Sequence, residues 1–256
     1  MHAFHLGRRE RRLYGAYDPP NVTLATNKAV VFCAPWGKEY MNSHRALRQL
    51  SLRLAAAGCH CLRFDWYGCG DSWGEGADGD VDGWKQDLTV AVEELKAMSG
   101  VARVFVVGLR LGAALAFQGA LGRADVAGVA LWDPILDGRA YLRELAQMDQ
   151  EIPRQASSTS LGGDGFVDLL GFSLTDTQRK GIERIQCAPE DAKWGGLLMV
   201  ASEDRPEYSE FCDGLPGKHD FEVVPGPKSW VEQPEIWAGA IPVPQLQRIE
   251  QWLSSA

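Results

Sequence analysis

The sequence contains a motif that usually presents a nucleophilic side chain, but its central residue is an arginine. The apolar run Val104–Val107 is followed by GLRLG at 108–112, and an Ala- and Leu-rich helix is predicted to begin at once. A strand, a turn with flanking glycines and a helix form the frame of a nucleophile elbow, which presents its central residue at the carboxyl edge of a sheet. That residue is Arg110. A guanidinium stays protonated, so Arg110 is predicted not to be a nucleophile.

The partners of a catalytic triad are only partly present. Such a triad needs an acid after the nucleophile, and then a histidine base in the loop after the last strand. Glu203 and Asp204 offer two carboxylates at the acid position. The base loop, predicted at Pro225–Trp237, contains no histidine; the five histidines lie at positions 2, 5, 44, 60 and 219. Hydrolysis by an ordinary triad is therefore excluded.

Two roles for Arg110 remain open at this point. A guanidinium at the amino end of a helix, beside free backbone amides, forms a strong site for a carboxylate, a phosphate or an enolate-like oxygen. Alternatively, Arg110 fills a vacated site as a structural ion pair, with Asp204 or Glu39 as its candidate partner. Charge clusters mark functional sites in only some proteins, so the pattern does not choose between the two roles.

Strand-like and helix-like segments alternate along most of the chain. Apolar runs such as Ala29–Ala34 are typical of strands buried on both faces of a parallel sheet. The alternation predicts an α/β protein with a doubly wound, mainly parallel sheet of about eight strands. The other predicted strands are Ala3–Leu6, Arg11–Tyr17, Cys59–Trp66, Val101–Val107, Val126–Trp132, Gly196–Ser202 and Asp220–Val224. Helices are predicted at Ser43–Ala57, around Trp84–Leu95, at Leu111–Leu121 and at Pro244–Leu253.

The alternation is interrupted after Pro134. Helices are predicted at Arg139–Gln150 and Thr175–Ile185, and the Ser- and Gly-rich stretch Gln155–Gly165 between them is predicted to be mobile. We interpret residues 135–195 as a small cap inserted into a single domain of residues 1–256. A chain of this length with 45% hydrophobic residues can bury one sizeable core.

Charge and hydropathy exclude several classes of protein. A net charge of −8 argues against a general nucleic-acid or anionic-membrane binder. No apolar run approaches the roughly 20 residues that span a bilayer, and no secretory signal is visible near the amino terminus. The six cysteines show no C-x-x-C pair and no zinc-ligand spacing, so free thiols, no metal and no cofactor are predicted. We therefore expect a cytoplasmic protein.

Four segments together resemble a known family. They are Phe32–Tyr40, Leu62–Ser72, Gly108–Ala113 and Leu131–Leu142. They look like the exosortase A system-associated α/β-hydrolases, and one branch of that family also carries GLRLG at the elbow. The resemblance covers nearly the whole chain. It implies the α/β-hydrolase fold. It also implies that the gene for this chain lies near bacterial exopolysaccharide, protein-sorting and acyl-carrier genes.

The resemblance also implies where a substrate would lie. In this fold the loop after an early strand supplies an amide to the oxyanion hole, and PWGKE at 35–39 follows such a strand here. Trp36, Gly37, Arg110 and Leu111 are therefore expected to contact a substrate. Trp132 ends a strand near the same edge and is expected to line the pocket.

Two functions from different classes follow from this pattern. One is an atypical enzyme for an acyl or carbonyl compound (an ester, a thioester or a carboxylate), in which Arg110 holds an oxyanion and Glu203 or Asp204 acts as acid or base. Its reaction type stays open, and lyase, cyclase and acyl-transfer steps are among the alternatives to hydrolysis. The other is a catalytically dead protein that binds an anionic acyl group or the arm of an acyl carrier protein. Fold alone cannot choose between them.

Other polar residues are given structural roles. Asp65 and Asp71 are predicted to be hydrogen-bond acceptors in a turn, and His44 a solvated or capping residue. Cys69 has no histidine partner that would make it a nucleophile. Gly68 and Gly70 follow a strand, but the spacing after them breaks the dinucleotide-binding fingerprint, so a nucleotide cofactor is not expected.

Overall fold

A computed structural model describes residues 1–151, 165–192, 194–227, 229–231 and 241–256 of the chain. These residues form ten strands: β1 (His2–Arg8), β2 (Arg11–Asp18), β3 (Ala29–Cys33), β4 (His60–Phe64), β5 (Val104–Leu109), β6 (Val126–Trp132), β7 (Phe166–Leu169), β8 (Phe172–Thr175), β9 (Leu197–Ala201) and β10 (His219–Val223). Eight of them make one sheet in the order β1-β2-β4-β3-β5-β6-β9-β10. Strands β1 and β2 are antiparallel to their neighbours, and the other pairs run parallel. The predicted fold class is confirmed.

Helices cover both faces of this sheet. The described residues form seven: α1 (Gly37–Ala56), α2 (Val81–Ser99), α3 (Leu111–Ala120), α4 (Gly138–Glu151), α5 (Asp176–Glu183), α6 (Pro206–Asp213) and α7 (Val243–Ser255). Successive side chains of a strand point to opposite faces. Phe32 accordingly packs in the core under α1 and α7, whereas Val31 packs in the core under α2 and α3. Fully apolar strands such as β3 are explained by this double burial.

The parallel strands bring four loops to one edge of the sheet. Strands β3, β5, β6 and β9 are neighbours and run in the same direction, so their carboxyl ends lie side by side. The residues that follow the last three are Arg110, Asp133 and Ser202. In open α/β sheets, ligands bind in the crevice outside these strand ends.

The segment between β6 and β9 contains α4, the β7–β8 hairpin and α5. Its ends are joined where the amide of Gly138 donates to the carbonyl of Ile185 at 2.9 Å. The hairpin reaches the loop after β3, because the ring of Phe172 lies 5.8 Å from that of Trp36 in an edge-to-face contact. The predicted cap, residues 135–195, spans this segment and stays a prediction; residues 152–164 and 193 lie outside the described residues, and with them nearly all of the stretch Gln155–Gly165 that was predicted to be mobile.

One sequence expectation about the elements was wrong, and two elements were missed. Helix α1 begins at Gly37 rather than at Ser43, so Glu39 lies in its first turn and is buried. The β7–β8 hairpin was missed because the Ser- and Gly-rich stretch before it masks two short strands. Helix α6 was missed, although Pro206 at its first position is a common helix start.

Two further findings concern membranes and thiols. In the part of the chain that the structure describes, no helix combines the length and the apolarity needed to cross a membrane. The six cysteines are all free, as predicted; Cys69 and Cys187 are partly exposed and the other four are buried.

Candidate active site and ligand cavity

The turn between β5 and α3 has the geometry of an elbow. Arg110 adopts φ 53° and ψ −121°, a conformation that side chains with a Cβ rarely adopt. The flanking glycines are required by close packing. A Cβ on Gly108 would lie 2.5 Å from Cα of Ala113, and one on Gly112 would lie 2.3 Å from the carbonyl oxygen of Cys33. The turn therefore projects Arg110 from the carboxyl edge of the sheet, as the sequence predicts.

Two carboxylates bind the guanidinium of Arg110. Its Nε donates to Oε1 of Glu39 at 2.6 Å, and its Nη2 donates to Oε1 of Glu144 at 2.8 Å. The hydroxyl of Tyr141 donates to Oε2 of Glu39 at 2.8 Å. Nη1 of Arg205 lies 3.6 Å from Oε2 of Glu144. Nη2 of Arg205 also lies 3.9 Å from Oε2 of Glu203, so two arginines and three glutamates form the cluster.

This cluster settles which ion pair Arg110 makes. Glu39 was one of two predicted partners, and it is confirmed. Asp204, the other predicted partner, is exposed and is not an ion-pair partner of Arg110 among the described residues. Glu144, on helix α4, was missed. Its helix could be predicted, but only the packing of α4 against the sheet shows which residue reaches the elbow.

Burial and charge act in opposite directions on these groups. Burial lowers the pKa of Arg110, but the neighbouring Glu39 and Glu144 outweigh it and hold that pKa above its ordinary value. Burial raises the pKa of Glu39, and the charge of Arg110 opposes that rise. Arg110 therefore stays protonated, without a lone pair that could attack a carbonyl carbon.

Asp133 is the buried carboxylate at the strand edge, and sequence reasoning missed it. It follows β6 directly with φ 43°, and its side chain is buried. Its Oδ1 accepts from the amide of Ser202 at 2.5 Å, and its Oδ2 accepts from the hydroxyl of Ser202 at 2.7 Å. The predicted acids Glu203 and Asp204 are both exposed. The signal in the sequence was an aspartate immediately after a buried strand.

A tryptophan lies in the loop where a histidine base would be expected. Nε1 of Trp230, after β10, donates to Oδ2 of Asp133 at 2.7 Å. An indole N–H is a donor only, so Trp230 cannot accept a proton. His219 is the first residue of β10 and thus lies at the opposite end of that strand. The described part of this loop, 224–227 and 229–231, therefore contains no base.

Little space is left at the elbow. The cavity there has a volume of about 20 Å³, which is room for roughly one water molecule. Its lining includes Arg110, Glu39, Asp133, Glu203 and Trp230. A substrate cannot enter this cavity unless side chains move.

A much larger cavity opens beside it. Its volume is about 440 Å³, and it lies between the loop after β3, the loop after β4 and the β7–β8 hairpin. The lining residues are Pro35, Trp36, Gly37, Tyr40, Asp65, Trp66, Gly68, Cys69, Gly70, Glu75, Gly76, Ala77, Phe166, Gly171, Phe172 and Ser173. Cavities of this size hold small organic molecules.

The sequence of residues 26–162 matches one protein family, described as Serine aminopeptidase, S33. The match covers more than half of the chain and includes the elbow, the loop after β3 and the loop after β4. The chain belongs to this S33 family. Its sequence matches none of the curated proteins with which it was compared.

Solved structures of hydrolases resemble the S33-family chain in fold. An esterase of Pyrococcus furiosus superimposes with a TM-score of 0.70 at 16% identity, over 99% of this chain and 90% of that one. Est1E from Butyrivibrio proteoclasticus, with ferulic acid bound, gives 0.67 at 14% identity over 99% and 97%. A proline iminopeptidase of Mycobacterium smegmatis gives 0.61 at 15% identity over 99% and 98%. The expected α/β-hydrolase fold is confirmed.

The predicted substrate-binding residues of this S33-family chain do not lie together. Trp36 and Gly37 line the large cavity, whereas Arg110 lines the small one. Leu111 is buried at the start of α3. Trp132 is fully buried, and its Nε1 donates to Oε1 of Gln245 at 2.8 Å. It lines neither cavity, because its position at the strand end points it into the core under α7.

The remaining candidates make structural contacts. Asp65 accepts from the hydroxyl of Tyr40 at 2.7 Å and from the amide of Asp71 at 3.0 Å. His44 is exposed and contacts the carbonyl of Met41. Burial raises the pKa of Cys69 to about 12, so this thiol is not a ready nucleophile. Among the described residues, no group of three or more His, Cys, Asp or Glu is placed to hold a metal ion.

Proposed function

We propose that this S33-family protein binds a small acyl or carbonyl compound and does not hydrolyse it through the elbow. The observation that carries the proposal is the position of Arg110. It stands where a serine hydrolase of this fold would present its nucleophile, and its guanidinium is bound by Glu39 and Glu144. The protein is then an atypical member of a hydrolase family.

The base of a catalytic triad is missing as well as its nucleophile. Asp133 has the place and the burial of a triad acid, but its partner is the indole of Trp230 instead of an imidazole. Without an acceptor nitrogen at that point, the residue in the place of the histidine cannot remove the proton from an attacking hydroxyl or water. An acid–base role for Glu203 or Asp204 stays a prediction, and their exposure gives it no support.

Between the two roles of Arg110, the contacts favour the structural one. An anionic ligand at the elbow would have to displace Glu39 or Glu144, the carboxylates that already bind Arg110. The cavity of about 20 Å³ has no room for a carboxylate and its carbon atoms. We therefore infer that Arg110 closes the elbow, and that a bound acyl carboxylate is not its ligand.

The large cavity is then the place for the ligand. It includes Trp36 and Gly37, the residues that the family resemblance placed near a substrate. The similar structures include an esterase, an iminopeptidase and Est1E with ferulic acid bound, an aromatic compound with a carbonyl group. Phe172 and Trp66 are among the lining residues, and aromatic side chains suit an aromatic or apolar ligand body.

The finer expectations from the sequence belong to the same proposal. The exosortase-associated resemblance supports a place in a bacterial exopolysaccharide or protein-sorting setting, in the cytoplasm, with an acyl carrier protein as a candidate partner. A carrier arm would have to enter the large cavity, since the elbow is closed.

Labelling and binding together test the proposed function. The purified protein is treated with a fluorophosphonate, para-nitrophenyl esters and acyl-CoA thioesters, and we expect no labelling and no turnover. The amide para-methylbenzamide should raise the melting temperature and show saturation-transfer signals, because a ligand specific for the folded state stabilises it. Stoichiometric phosphonylation of a residue, or ester turnover at rates typical of hydrolases, would overturn the proposal.

A further inference from the structure

Another cavity, of about 390 Å³, lies between α4, the β7–β8 hairpin and α5. It is called the outer cavity below. None of its described lining residues lines the large cavity or the cavity at the elbow. Cavities of this volume hold small organic molecules. The outer cavity is therefore a ligand-sized space that the proposed function does not use.

The two faces of the β7–β8 hairpin line different cavities. Val167 and Leu174 are paired directly across the hairpin, and both line the outer cavity. Phe166 and Ser173, each one residue away along the chain, line the large cavity. Successive side chains of a strand point to opposite faces, so the hairpin is a wall between two separate spaces.

Helix α4 also has two faces with different chemistry. Tyr141 and Glu144 contact the charged groups at the elbow. The residues of α4 that line the outer cavity follow the spacing of a single helix face: Arg139, Leu142, Arg143 and Ala146. Two basic and two apolar side chains of one helix therefore border the outer cavity together.

The hairpin adds apolar surface to this cavity. Leu169 and Leu174 are buried, whereas Val167 is 42% exposed. Covering exposed apolar surface is favourable because it removes that surface from water. The apolar part of a ligand would therefore be bound on the side of the cavity that the hairpin forms.

Arginines make the outer cavity positively charged. Its described lining contains three arginines and one glutamate, a net charge of +2, in a chain with a net charge of −8. Arg179 already lies 2.6 Å from a carboxylate oxygen of Glu183 and 3.1 Å from one of Asp176. Among the described residues, Arg139 and Arg143 form no salt bridge. Two guanidinium groups therefore remain to bind a ligand.

The charge of the cavity favours one kind of anionic group. A guanidinium can bind the oxygens of a carboxylate or of a phosphate. A carboxylate carries one negative charge, whereas a phosphate monoester carries about two near neutral pH. A phosphate monoester thus matches the two arginines that form no salt bridge.

We propose that the outer cavity binds a phosphate monoester that carries a single apolar chain. Arg139 and Arg143 bind the phosphate, and the apolar residues of α4 and of the hairpin contact the chain. This inference goes beyond the proposed function, because it involves neither the elbow nor the large cavity.

Matched ligands test the inference on the full chain. Calorimetry below the micelle concentration should show octyl phosphate binding about tenfold more tightly than neutral 1-octanol and about threefold more tightly than octanoate. Octylammonium should bind most weakly of the four. Butyl phosphate should bind at least about tenfold more weakly than octyl phosphate, because its shorter chain covers less apolar surface.

Paired variants locate the phosphate group. Arg139→Gln combined with Arg143→Gln should reduce the preference for octyl phosphate over 1-octanol to about twofold or less. Both side chains are exposed, so we expect this variant to fold. The matched control, Arg45→Gln combined with Arg48→Gln, removes two exposed arginines of α1 outside the cavity and should leave the preference unchanged.

Competition separates the outer cavity from the large one. Octyl phosphate and para-methylbenzamide should bind at the same time, so displacement of one by the other would overturn the inference. If para-methylbenzamide does not bind, the proposed function fails, and the paired variants still decide the inference.

Three further outcomes would overturn the inference. One is equal binding of octyl phosphate, 1-octanol and octylammonium, and another is tighter binding of octanoate than of octyl phosphate. The third is an unchanged preference in the variant that lacks Arg139 and Arg143. Binding to anionic lipid vesicles without binding of octyl phosphate would indicate a membrane-binding surface and would likewise contradict the proposed ligand.

Discussion

Nε of Arg110 lies 2.6 Å from Oε1 of Glu39, and both side chains are almost completely buried. The pair joins the elbow after β5 to the first turn of α1, which are 71 residues apart in the sequence. A buried pair of this kind is costly to break, because a remaining charge loses its partner without regaining water. The contact explains how a long charged side chain can lie at a position where serine hydrolases of this fold present a small nucleophile.

The first prediction concerns the stability of this pair. Arg110→Met should lower the free energy of unfolding by about 3–5 kcal/mol, since Glu39 is left buried without its cation. Adding Glu39→Gln should recover part of the loss, because the amide is neutral and can still accept from Tyr141. Chemical denaturation of both variants measures the difference.

An exposed pair provides the control. Arg53 and Glu250 lie 2.7 Å apart with 30% and 26% of their side chains exposed. Arg53→Met should cost no more than about 1 kcal/mol, as is usual for surface pairs. If Arg110→Met and Arg53→Met lowered the free energy of unfolding equally, burial of the Arg110–Glu39 pair would contribute nothing to stability.

The second prediction concerns the missing nucleophile and base. Arg110→Ser alone should remain inactive toward esters, because a serine without a base is a weak nucleophile. Combining it with Trp230→His and Glu39→Gln should permit labelling by a fluorophosphonate, since Asp133 would then hold an imidazole beside the new hydroxyl. Labelling is followed by intact-protein mass spectrometry.

Two variants control this experiment. Trp230→His without Arg110→Ser should stay unlabelled, because it restores the base and not the nucleophile. The combined variant with Asp133→Asn should label more slowly, since the imidazole loses the carboxylate that orients it. Ester turnover by Arg110→Ser alone at rates typical of the fold would mean that a base exists outside the loop after β10.

The third prediction concerns the buried aspartate. Asp133 accepts from Ser202 and from Trp230, and its φ is 43°. Asp133→Ala should destabilise the protein by about 1.5–3 kcal/mol for each charged hydrogen bond that is not replaced by water. Asp133→Asn should cost less, because asparagine tolerates a positive φ and keeps one acceptor oxygen. Thermal denaturation of the two variants measures which is less stable. A less stable Asp133→Asn would contradict the prediction.

Much of the fold could be predicted because it depends on local signals. Strand β6 has the predicted bounds, Val126–Trp132. It could be predicted because strands that are buried on both faces have continuous apolar sequences. Helix α1 was placed six residues late because its first turn carries Gly37 and a buried Glu39, which look like loop residues without their tertiary partners. The start of a helix is decided by such contacts as much as by periodicity.

Some features of the candidate site could likewise be predicted from the sequence, and others could not. The sequence by itself determined that an arginine stands at the centre of GLRLG and that Pro225–Trp237 contains no histidine, because these points depend only on residue identity. Only the tertiary structure decided that Glu39 and Glu144 neutralise Arg110, that Trp230 donates to Asp133, and that the open space lies beside Asp65. These relationships join residues far apart in the chain, and local periodicity carries no information about which distant side chains meet.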